Sequence, residues 1–137
     1  MSGPPIPSTG PRPAGDGALN ARTEALLRRL VRRDASAALK KVIAKTRPED
    51  IAASMRHLTY SEQRRLYWNI DDTDVAAEVL SYLPDESSRE ITKDMAENRV
   101  VELLERMEPD DATDVVGVLP DDLRMRVLGA LSDDETG

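Results

Sequence analysis

The chain has 137 residues, 39% of them hydrophobic and 33% charged, and a formal net charge of −7 at pH 7. That is one domain's worth, with room for a core of moderate size, and no run approaches the ~18 apolar residues of a membrane span. With no cysteine and one histidine, disulfide frameworks, thiolate metal sites and multi-histidine zinc chemistry are excluded, and a reducing cytosol fits.

Residues 1–18 hold five prolines and four glycines. Such a segment cannot bury enough apolar surface to offset its ordering entropy, so a disordered tail is expected; the start lacks the basic and apolar regions of a secretory signal. From residue 19 the apolar period becomes helical. Leu26, Leu27, Leu30 and Val31 form one stripe and Leu39, Val42 and Ile43 a second, with Asp34 placed to cap the second helix. Pro48 opens a third helix (Ile51, Ala52, Met55, Leu58), and Ser61 with Glu62 starts a fourth (Leu66, Tyr67, Ile70).

Asp71-Asp72-Thr73-Asp74 opens a fifth helix carrying Val75, Ala76, Val79, Leu80 and Leu83, and Pro84 separates it from a sixth with Ile91 and Met95. A seventh holds Val100, Val101, Leu104 and Met107 and stops at Pro109. The eighth (Ala112, Val115, Val116, Leu119) and ninth (Leu123, Val127, Leu128, Leu131) follow, and residues 133–137 form an acidic end. No period-two alternation or Asn-Gly turn signals a strand, so the fold class is all-α.

One segment is written twice. Ala76-Ala77-Glu78-Val79-Leu80-Ser81-Tyr82-Leu83-Pro84-Asp85-Glu86 returns 36 positions later as Ala112-Thr113-Asp114-Val115-Val116-Gly117-Val118-Leu119-Pro120-Asp121-Asp122. Helices of about ten residues are not stable alone. Each hairpin must bury its apolar face on its neighbours, which predicts a solenoid or superhelical stack of about nine short helices over residues 19–132.

Charge is divided along the chain: residues 1–47 carry +7 and residues 48–137 carry −14. The acidic part repels nucleic acid, and the basic head (Arg28, Arg29, Arg32, Arg33, Lys40, Lys41, Lys45) has no interleaved aromatic or glycine readout elements, so nucleic-acid binding is not expected. Catalysis is not expected either. No Gly-rich phosphate loop is present, Ser87-Ser88 lacks a nucleophile-elbow setting, and His57 has no acid or nucleophile at a telling spacing.

The acids are the remaining candidates. Asp74 and Glu78, and their repeats Asp110 and Asp114, stand at i and i+4, neighbours on one helix face. Mg²⁺ takes hard oxygen ligands and keeps several waters, so one or two carboxylates suffice for a weak site. First-turn acids are also favoured by the helix macrodipole with no ligand, which accounts for Asp110 and Asp111; Glu78 and Asp114 lie deeper in their helices.

The order of these motifs, Ala-Ala-Glu-Val-Leu-Ser-x-Leu, then Pro-acid-acid, then Pro-Asp-Asp-x-x-Asp, resembles the cytosolic N-terminal domain of MgtE-type magnesium transporters over about residues 20–132. The resemblance implies a right-handed superhelix that precedes CBS domains and a transmembrane pore and senses cytosolic Mg²⁺. It implies ion-binding acids at Glu78, Asp110 and Asp114. The chain ends at Gly137, about where the first CBS domain would begin, so these acids are expected to be half of a site, and transport by this polypeptide alone is not expected. A looser similarity to the middle domain of the flagellar switch protein FliG implies the alternative, a helical-repeat interaction adaptor with no ion role.

Overall fold

A computed structural model describes the backbone of residues 13–136 and the side chains of residues 21–132. Among the described residues the chain is all-helical, with no strand. Its helices are α1 (Pro13–Arg32), α2 (Ser36–Ala44), α3 (Pro48–Ser54), α4 (Tyr60–Trp68), α5 (Thr73–Tyr82), α6 (Asp85–Thr92), α7 (Glu97–Glu105), α8 (Pro109–Val118) and α9 (Asp121–Thr136), with a 3₁₀ turn at Met55–His57. The expected tail lies, through residue 12, outside the described residues, and α1 starts at Pro13.

Helices α2 to α8 hold only 7 to 10 residues each, too short to persist without tertiary packing. Their packing follows a two-row pattern. α1, α3, α5, α7 and α9 touch in succession, α4, α6 and α8 form a second row, and α2 lies on α1. Each hairpin thus covers the apolar face of the one before it, as a repeat array requires. Leu27, Val31, Ile51, Leu66, Val79, Ile91, Val100 and Val127 lie along this continuous core with no exposed surface.

The caps are where local chemistry departs from expectation. Asp34 does not cap α2, whose N-cap is Ala35 without a side-chain bond. Asp34 sits in the left-handed region (φ 56°), where Asp is one of the few tolerated side chains. Its N–H donates to Val31 O at 3.0 Å and the Ala35 N–H to Leu30 O at 3.1 Å; this pair of bonds is the Schellman closure of α1. Likewise α4 begins at Tyr60, with Thr59 rather than Ser61 as its N-cap. The Thr59 side chain accepts from the Glu62 N–H (3.2 Å) while Glu62 accepts from the Thr59 N–H (3.0 Å), a capping box.

Polar side chains hold the hairpins in register. Gln63 donates to the Met55 and Leu58 carbonyls at 3.0 and 3.2 Å, fixing the 3₁₀ turn against α4. The Tyr67 hydroxyl donates to Ala76 O at 2.7 Å, joining α4 to α5. Arg65 and Arg89 donate to Val31 O and Val118 O, both at 3.1 Å, and so satisfy carbonyls at the ends of α1 and α8. One aliphatic placement differs from the sequence pattern: Leu128, expected to face inward, is 45% exposed.

Candidate functional site

The duplicated segments are α5 and α8, which pack against each other. They start differently. Asp72 caps α5 by accepting from the Asp74 and Val75 N–H groups (2.9 and 3.2 Å), whereas α8 begins with Pro109 and has no side-chain cap. The acids that follow diverge accordingly. Asp74 accepts a 2.9 Å bond from Arg106 Nη1, which ties the start of α5 to the residue just beyond α7. Its counterpart Asp110 is exposed and makes no ion pair or hydrogen bond among the described residues.

Glu78 projects from α5 into a cleft lined also by Asp74, Tyr82, Arg106, Glu108 and Asp111. Its carboxylate accepts a 3.2 Å bond from the Tyr82 hydroxyl. That bond, then partial burial, then the charges of Glu78, Glu49 and Asp111 raise the Tyr82 pKa above the usual phenol value. Carboxylates from α3, α5 and α8 therefore bear on one hydroxyl. Asp114 lines the adjoining cleft with Ser81, Asp85, Ser88 and Asp111. Ser81 and Asp111 belong to both clefts and form the ridge between them. Asp110 lines neither.

Glu78 and Asp114 thus face neighbouring concavities, with Asp110 beside them on the exposed start of α8. Among the described residues no three acidic or imidazole side chains converge closely enough to hold a metal by themselves. The three acids carry no guanidinium or ammonium partner there, unlike Asp50, Asp71, Asp74 and Asp121. The arrangement is an acidic, solvent-open pair of clefts with hard oxygen donors, suited to a hydrated divalent ion rather than a dehydrated one. Sequence reasoning left out Tyr82 and Asp111. Tyr82 follows Glu78 by four residues, the spacing of facing side chains, and that was the available signal.

The other candidates take structural roles. Ser87 and Ser88 are buried, and the Ser88 hydroxyl points at Leu80 O (3.5 Å). His57 is exposed, and its carbonyl accepts from Arg32 at 3.1 Å. No helix among the described residues is long and apolar enough to cross a membrane. The family model described as the MgtE intracellular N domain matches residues 46–136, which span α3 to α9. No curated protein matches the chain.

Proposed function

The chain belongs to the MgtE intracellular N domain family, and on that footing we propose that it is a non-enzymatic, cytoplasmic regulatory module of an MgtE-type magnesium transporter that binds Mg²⁺ weakly through Glu78, Asp110 and Asp114. The observation that carries this reading is that none of these three acids has a basic partner among the described residues, beside an Asp74 that is paired with Arg106. A bound divalent ion would supply charge neutralisation of carboxylates that otherwise repel one another. Glu78 and Asp114 would each offer oxygens to a hydrated ion, and Asp111 on the shared ridge is within reach of both clefts. Opposing ligands from the transporter's CBS domains would complete each shell, which accounts for the lack of a closed cluster among the described residues.

Titration of Mg²⁺ into the ¹⁵N-labelled chain tests it. The amides of residues 78, 110 and 114 are expected to shift by about 10 mM, the range of weak carboxylate sites, and Glu78→Gln to abolish the α5 part of the response. Flat shifts would defeat ion sensing by this chain. They would favour a second reading, the helical-repeat adaptor, which draws on the exposed apolar groove formed by Leu104, Ala112, Val116, Leu128 and Leu131.

A further inference from the structure

The end of α1 and the residue after it present Arg28, Arg29, Arg32 and Arg33 around a single cleft. Arg28 and Arg32 stand at i and i+4, as do Arg29 and Arg33, so each pair sets like charges side by side at a cost to the helix. The negative end of the helix macrodipole offsets this for the last turn, but Arg28 sits deeper. Among the described residues only Arg32 of the four is engaged, through Glu62 (3.4 Å) and the His57 carbonyl (3.1 Å). Arg29 and Arg33 are exposed and unpaired among the described residues.

Arg28 is the telling residue. Its Nη1 is shielded from solvent yet has no hydrogen-bond partner, an unfavourable state for a charged donor. Glu24 stands four residues earlier, the favourable orientation for an ion pair, but none forms. Among the described residues no acid lines this cleft. Three uncommitted guanidinium forks outnumber the two oxygens of one carboxylate, whereas a phosphate group offers a third oxygen and a second charge. We propose that the α1 arginine cleft is a phosphate-binding site, filled either by a soluble phosphate ester or by a phosphate headgroup of an anionic lipid. It lies ahead of residues 46–136 and does not rest on the ion reading.

The test follows the arginine Nε–Hε resonances of the full chain as sodium phosphate is added, against sodium chloride at matched ionic strength. Saturable shifts are expected at Arg28, Arg29 and Arg33. Arg28→Lys keeps the charge but loses the fork, and should weaken phosphate binding by about tenfold, the loss of one charge-assisted hydrogen bond. Arg33→Gln, at an exposed position where folding is not at stake, should weaken it likewise, while the double variant Lys41→Gln, Lys45→Gln should not. Co-sedimentation with phosphatidic acid vesicles that inorganic phosphate competes away, and that Arg33→Gln reduces, assigns the headgroup as the source. Saturable phosphate binding without vesicle capture assigns a soluble ester. Equal shifts in phosphate and chloride, or equal losses from the arginine and lysine variants, would overturn the site in favour of a diffuse basic surface; so would DNA binding in the absence of phosphate binding.

Discussion

Replacing Tyr67 with Phe isolates one hydrogen bond between two hairpins and predicts a reversal with pH. Tyr67 is 3% exposed, and its hydroxyl donates to Ala76 O at 2.7 Å. Ala76 lies inside α5, so its carbonyl keeps an intrahelical donor when the hydroxyl is gone. No orphaned group is left, and the loss at pH 7 should be about 1 kcal/mol, the net worth of one neutral hydrogen bond. Burial also pushes the Tyr67 phenol well above its usual value, the nearby Arg99 charge drawing it only partly back.

The unfolded chain ionises this phenol near pH 10 while the folded chain retains the proton. Its contribution to stability is therefore complete below pH 10 and declines as pH rises toward the folded pKa, by about 1.4 kcal/mol per unit. Phe has no such term. The advantage of Tyr should vanish about 0.7 unit above the unfolded pKa, since 1 kcal/mol divided by 1.4 gives that interval. Above it, Tyr67→Phe should be the more stable protein. Urea denaturation followed by circular dichroism at pH 7 and near pH 11 measures both gaps; Tyr60 and Tyr82 are common to the two proteins and cancel. A difference of the same sign and size at both pH values would refute the claim that burial holds Tyr67 neutral.

Thr59→Ala removes the side-chain half of the capping box and should cost about 1 kcal/mol, whereas Thr59→Ser, which keeps the oxygen, should cost little; equal chemical-denaturation midpoints for wild type and Thr59→Ala would count against the cap. Glu78→Ala removes the hydrogen-bond acceptor, the largest influence on Tyr82, together with the carboxylate charge. The Tyr82 titration, followed through its ring ¹³C shift, should move down toward the ordinary phenol value, and an unmoved titration would refute the Glu78–Tyr82 bond.

The apolar period made the helices legible in the sequence because each short helix has one buried stripe, and Leu27, Ile51, Leu66, Val79 and Val127 are all fully enclosed. The helix ends were less legible, since one Asp can serve as an N-cap or as a left-handed C-terminal residue. At Asp34 the choice fell to closing α1, because the chain turns there immediately into α2. Thr59 and Ser61 both offer hydroxyls, but only Thr59 has a Glu three residues on. Leu128 was misplaced because it follows the helical stripe while standing at the rim of the groove beside α8, where no described helix covers it. The acids were legible as a repeated pattern, but the clefts they face were not. Asp111, on α8, lines both clefts only through the way the two rows of helices stack.

The two copies of the repeat serve different ends, and the difference bears on the ion reading. Asp74 and Asp110 both lie in the first turn of their helices, so the macrodipole cannot explain why one is paired and the other is not. Arg106 makes the distinction. It follows α7 at the point where it can reach back to Asp74, and that hydrogen bond, then the Asp74 charge, raise the Arg106 pKa. No arginine or lysine among the described residues reaches forward to Asp110 or Asp114. With Asp74 neutralised by Arg106, Glu78, Asp110, Asp111 and Asp114 are left without a basic partner among the described residues. On the function proposed above, a hydrated divalent cation would neutralise that edge while leaving it open to an opposing domain.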